Sequence, residues 1–228
     1  TDFDKKVTET ANRFGVTLAT TQTGYVDKGK DFGSPNIRVI KAPKVALVGG
    51  NGTSSLNYGE VWHFFEKDLD YPLTNLDATS MGSYDLSKYD VIILPSVFGA
   101  ALNGGAQSKL TDWVKAGGVL VMMANDSNNC DLQHFNLLAN KFGITFTNTS
   151  LNMVKNDTYV QGEVMPGSNN PVFNTTKRMF LKEISELNVK APATALVTKE
   201  NAIVIAVAKY GKGTVFAVGD PWVYNEYI

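Results

Sequence analysis

Nucleophilic and metal-binding chemistry rests here on very few side chains: two histidines and one cysteine among 228 residues. His63-Phe64-Phe65-Glu66 forms an H-x-x-E pair, a spacing that can present two zinc ligands from one helix. A catalytic zinc needs three converging protein ligands and an open position. The other histidine, His134, falls on a different predicted helix, so a helix-surface histidine is the favoured reading. No metal or other cofactor is expected. Cys130 and His134 stand four apart at a predicted helix start, where they could face one another. A helix N-terminus lowers a thiol pKa, modestly here, and a thiolate beside a base is the skeleton of a cysteine nucleophile. Yet Cys130 lies several residues beyond a strand, outside any Gly-x-Cys-x-Gly elbow, so a thiol hydrolase is the minor reading. Gly49-Gly50-Asn51-Gly52-Thr53-Ser54 joins a strand to a helix, where phosphates often bind. It matches neither G-x-G-x-x-G nor G-x-x-x-x-G-K-[ST], and a tight turn accounts for its glycines.

The elements that must position these residues alternate. Residues 44–49, 90–95 and 119–123 are short apolar runs closing on polar or glycine-rich loops, the pattern of strands buried on both faces. Between them, 57–69 reads as a helix with Val61, Phe64, Phe65 and Leu69 at helical spacing, 73–76 as a short strand and 85–88 as a turn of helix. Residues 105–116 form a helix with Leu110, Trp113 and Val114 inward, ended by Gly117-Gly118. This alternation predicts an α/β fold: a doubly wound, mostly parallel, flavodoxin-like sheet. A helix over 131–142 follows, with Leu132, Phe135, Leu138 and Phe142 inward, then a less periodic stretch of short strands and loops over 144–187. Strands at 195–198, 203–209 and 214–218, separated by turns, read as an antiparallel C-terminal extension. Asp220-Pro221 then suits a helix start over 222–227. Ahead of all this, 2–14 is an amphipathic helix, 16–19 is strand-like, and 23–43 is a Gly-, Lys-, Asp- and Pro-rich connector. The organisation read is therefore 1–43 as helix and connector, and 44–228 as the α/β domain.

In such a sheet the loops at the carboxyl ends of the strands share one edge, with a crevice where strand order reverses. Those loops supply Asn51, Ser54, Asn125, Asp126, Asp220, Trp222 and Tyr224 as candidate binding residues. Amides, carboxylates and an aromatic platform suit a peptide end or an oligosaccharide. The plainer reading is that Trp222 caps the core and Asp220 caps a helix.

Composition narrows the partners. Twenty-one basic and 22 acidic residues leave a formal charge of −1 without a long Lys/Arg run, so neither nucleic acid nor an anionic membrane is an expected partner. The longest apolar runs are strand-sized, against the roughly 20 residues that span a bilayer. A single cysteine permits no internal disulfide. The chain starts at Thr1 without Met and ends just after an aromatic run, which reads as part of a longer protein.

Several motifs carry a family resemblance. Thr23-Gly24-Tyr25-Val26-Asp27, Asp31-Phe32-Gly33-Ser34, Ala42-Pro43-Lys44-Val45-Ala46-Leu47, Tyr58-Gly59-Glu60-Val61-Trp62-His63 and Trp113-Val114-Lys115-Ala116-Gly117-Gly118 resemble a domain appended to bacterial carboxypeptidase-A-like zinc peptidases. That domain has the class I glutamine-amidotransferase-like fold. Tyr210-Gly211-Lys212-Gly213 and Gly219-Asp220-Pro221-Trp222-Val223-Tyr224-Asn225-Glu226-Tyr227 resemble the related domain ending some bacterial unsaturated-glycan hydrolases. Active glutamine amidotransferases pair a cysteine after a central strand with a late His-x-Glu. Here 119–123 runs into Ala124-Asn125-Asp126, and Gly219-Asp220-Pro221-Trp222 contains no histidine. The resemblance therefore implies a non-catalytic accessory domain of a periplasmic or extracellular hydrolase. A zinc carboxypeptidase-like parent comes first and a glycan-binding accessory domain of a polysaccharide-degrading enzyme second, with the parent's catalytic domain as partner.

Overall fold

The apolar runs become strands because each finds a hydrophobic layer on both sides. The computed structural model describes residues 2–20, 22–37, 41–151 and 162–223, in two units, Thr1–Ala42 and Pro43–Ile228. In the second unit β1 (Val45–Gly49), β2 (Leu73–Asp77), β3 (Val91–Leu94) and β4 (Val119–Met123) pair in parallel, with Val45 in register with both Leu73 and Val91. Four short strands follow, β5 (Ile144–Phe146), β6 (Gly162–Val164), β7 (Met179–Leu181) and β8 (Leu187–Val189), as the antiparallel ribbons β5–β8 and β6–β7. The last three, β9 (Ala193–Lys199), β10 (Ala202–Tyr210) and β11 (Gly213–Val218), rejoin the main sheet. Its order is β2-β1-β3-β4-β11-β10-β9, parallel as far as β11 and antiparallel beyond it. This is the α/β architecture that the residue pattern predicts.

The first unit contains α1 (Asp2–Arg13); the second contains α2 (Ser55–His63), α3 (Gly104–Ala116) and α4 (Leu132–Ala139). Alternation along the strands sorts the core into two layers. Ala46, Val48, Ile92, Leu94 and Leu120 pack with Leu110 and Val114 of α3 and Phe135 and Leu138 of α4. Val45, Leu47, Ile93 and Met123 pack on the other face with Val61 of α2. Each of these three helices opens on a polar cap: Ser54 Oγ accepts from Asn57 N–H (3.3 Å), Asn103 Oδ1 from Ala106 N–H (3.0 Å), and Asp131 from His134 N–H (3.2 Å). After α3, Gly118 lets the Trp113 indole lie against the backbone, since a Cβ there would stand 2.3 Å from the ring.

Three local expectations are corrected. The helix read over 57–69 ends at His63 and passes into a π turn, Phe64–Asp68, with Leu69 N–H donating to the Phe64 carbonyl (3.0 Å). The wider turn lets the adjacent rings of Phe64 and Phe65 both half-bury. The helix read over 131–142 splits into α4 and a 3-10 turn, Asn140–Phe142, closed by Gly143 in the left-handed region. Residues 16–19 are irregular; among the described residues of the first unit there is no strand to pair with them. Residues 221–223 form a turn, and the rest of the expected helix lies outside the described residues. No described helix is long and apolar enough to cross a membrane.

Candidate functional site

Because β1, β3, β4 and β11 are parallel, the loops after them converge on one edge, as expected. What those loops do there is chiefly to bind one another. Phe98 N–H donates to the Gly52 carbonyl (2.7 Å), Ser54 N–H to the Ser96 carbonyl (3.4 Å), and Thr53 and Val97 form an antiparallel bridge. Asp131 N–H donates to the Val97 carbonyl (2.9 Å), and Ser96 Oγ to the Met123 carbonyl (3.3 Å). The β1–β3 switch point is thus zipped by its own backbone.

The glycine-rich loop is shaped for that closure. Gly50 and Gly52 have φ near +83° and +84°, and a Cβ on Gly52 would stand 2.5 Å from that of Ala101. A Cβ on Gly50 would lie 2.2 Å from Asp77 Oδ2, so a carboxylate sits against the loop. The Thr79 hydroxyl, then the Thr79, Ser80 and Asn51 backbone N–H groups, hold the Asp77 carboxyl below its usual range despite some desolvation. A fixed negative charge repels phosphate. Of the expected binding residues in this loop, Asn51 is exposed, while the Ser54 hydroxyl serves as the α2 cap.

Asp126 is turned inward on its own loop, accepting from Asn128 N–H (3.0 Å) and Asn129 Nδ2 (3.2 Å). Asp220, 1% exposed, accepts from Lys182 N–H (3.0 Å) and Trp222 N–H (2.8 Å), tying β11's exit to the segment after β7. Trp222 is buried, with the Lys182 ammonium 5.4 Å from its ring centre. The expected stacking platform is therefore not presented to solvent: the indole caps the core, covered by a cation. Tyr224 lies outside the described residues.

Cys130 and His134 are each committed elsewhere. Cys130 is fully buried, and its thiol donates to the Val97 carbonyl (3.5 Å). Burial pushes it up to about 12, the reverse of the modest fall expected from a helix N-terminus. His134 Nδ1 lies 2.7 Å from Asp131 Oδ2. Burial works against ionisation of Asp131, but the His134 N–H and ring outweigh it and hold that carboxyl below its usual range. His63 ends α2 on one face of the sheet, while His134 belongs to α4 on the other. Among the described residues no cluster of three His, Cys, Asp or Glu is placed to hold a metal ion.

Three side chains of this edge bury polar atoms that have no hydrogen-bond partner among the described residues, the Trp222 indole N–H and two amides. Asn125 and Asn57 are 0% and 1% exposed, and neither atom of either side-chain amide has a hydrogen-bond partner among the described residues. Asn125 was expected at the crevice. Asn57 was not, although it stands one helical turn before Val61 on the inward stripe, where a polar residue is itself a signal.

No family model matches the chain, and no curated protein does. Solved structures share its fold. The mmIFT52 N-terminal domain superposes with a TM-score of 0.60 at 16% identity, over 80% of this chain and 88% of that one. Cytoplasmic Protein STM1381 from Salmonella typhimurium LT2 gives 0.58 at 12% identity, over 78% and 87%. A β-galactosidase from Bacillus circulans sp. alkalophilus gives 0.55 at 16% identity, covering 78% of this chain and 28% of its own. At such identities the likeness is one of fold.

Proposed function

We propose that the Pro43–Ile228 unit is a non-catalytic accessory domain of a bacterial hydrolase working in the periplasm or outside the cell. The carrying observation is how the carboxyl edge uses its polar side chains. Cys130 is a core thiol, Asp131 caps α4 and engages the His134 ring, and Asp220 ties its loop to the segment after β7. A thiol buried in the core and pushed up to about 12 is the opposite of an activated nucleophile. The motif resemblance favours a zinc carboxypeptidase-like parent. A glycan-degrading parent is the second reading, supported by the β-galactosidase whose matched part is 28% of its length.

The test is made in the parent polypeptide. Deleting residues 43–228 lowers the thermal midpoint and yield of the catalytic domain, whereas Cys130→Ala with His134→Ala leaves turnover unchanged. Loss of turnover in a folded double variant would return the thiol-hydrolase reading. The sequence preceding Thr1 separates the two parents: H-x-x-E plus a distant histidine in one, a helical-barrel glycosidase in the other.

A further inference from the structure

A cleft of about 720 Å³ opens on the other edge of the sheet, where β3 and β4 begin at Val91 and Val119. Ligands of doubly wound sheets gather at the carboxyl edge, so a cleft here calls for another kind of occupant. Its floor is apolar: Leu86 is buried, and Trp113, 8% exposed, lies on Gly118 with its indole N–H given to the Tyr89 carbonyl (3.2 Å). Its rim is acidic. Asp85, Asp90 and Asp112 are all exposed around it, and α3 ends there, adding the partial negative charge of its last carbonyls. The facing cation is Lys109, whose ammonium is already bonded to the Gly82 carbonyl (2.7 Å); Lys88 acts with it on Asp85. Pro43 lines the same cleft, and beside it Lys44 N–H donates to the Asp90 carboxylate (2.7 Å).

We propose that this cleft docks a lysine-bearing, aliphatic-flanked segment of the catalytic domain to which the accessory unit is joined. The inference rests on the accessory-domain reading and names the edge that meets the partner. An apolar floor inside a charged rim is the anatomy of a protein interface. Three exposed carboxylates against one lysine liner, itself already bonded to a carbonyl, leave the rim net negative and complementary to a cationic side chain. The aliphatic stem of lysine covers the floor while its head stays at the wet rim.

Carbodiimide cross-linking of the parent polypeptide, read by mass spectrometry, tests this directly. Asp85 or Asp112 is expected to link to a lysine of the parent polypeptide outside residues 1–228, and the link is lost in the Asp85→Asn, Asp112→Asn double variant. In parallel, acetyl-Leu-Lys-Leu-amide is titrated into the 228-residue chain while the Trp113 indole N–H resonance is followed. The resonance is expected to move, with binding at least about fivefold weaker in the double variant, and acetyl-Leu-Glu-Leu-amide leaves it in place. Links only to lysines of residues 1–42, links to a different polypeptide, or equal binding of both peptides would overturn the proposal. If it falls while deletion of 43–228 still destabilises the parent, the accessory reading stands and only the docking edge is wrong.

Discussion

At the residue scale, environment rather than identity decides what the reactive side chains can do. With its thiol near 12, about one Cys130 in ten thousand is ionised at pH 8. Thiol reagents are therefore expected to label the native chain orders of magnitude more slowly than the chain in denaturant, and comparable rates would show an open thiol. The spacing of Cys130 and His134 was legible in the sequence. The burial was not, because it is set by Val97 on the loop after β3, 33 positions away. Asn125 makes a sharper case. A buried amide without partners costs about 1–3 kcal/mol of desolvation, so Asn125→Leu is expected to raise stability by about 1–2 kcal/mol in urea unfolding. A loss would instead mean that water or a ligand completes the amide in solution. Acid sensitivity has a definite sign as well. Asp131 and Asp77 have folded pKa values below the unfolded ones, so the folded chain binds fewer protons. Their contribution is complete above the unfolded value of about 3.9 and is lost as pH falls through the folded one. Urea midpoints are expected to drop as pH falls below about 4, with a shallower drop in Asp131→Asn.

At the element scale, the strands could be read closely because burial on both faces leaves continuous apolar runs, as at 119–123, which matches β4 residue for residue. Helix ends were less legible. The π turn after His63 depends on two neighbouring aromatic rings seeking the same layer, and the break after Ala139 on a close approach of Gly143 to Lys190. Glycines show the same division between local and tertiary causes. A Cβ on Gly213 would fall 1.9 Å from the Val114 carbonyl oxygen and 2.4 Å from that of Gly118, where β11 crosses the end of α3. Gly213→Ala is expected to cost about 1–3 kcal/mol by overpacking. A Cβ on Gly59, inside α2, would meet no atom of the described residues within 4 Å, so Gly59→Ala is expected to gain about 0.5–1 kcal/mol from helix propensity alone. Equal effects at the two sites in thermal unfolding would show that the packing at Gly213 relaxes freely.

At the scale of the whole molecule, the sequence indicated a parallel sheet with an antiparallel extension, but not how the two join. Pairing of β11 with β4, Val218 beside Met123, brings together segments far apart in the chain, and no local pattern encodes it. That pairing has a mechanical consequence. Both hydrophobic layers lean on the same sheet, and both draw their residues from position 45 onward. Ala206, Ala208 and Val215 of the extension share a layer with Ala46 and Ile92, while Val204 and Ile205 share the other with Leu47. Removing β9–β11 would strip both layers at once, leaving neither half a core of its own. Residues 43–228 expressed alone are therefore expected to fold and to unfold in one cooperative step, with far-ultraviolet circular dichroism and tryptophan fluorescence tracing a single curve in urea. Two separated transitions would mean that the extension folds as a unit of its own, and that the β4–β11 pairing is a docking contact instead of part of the core.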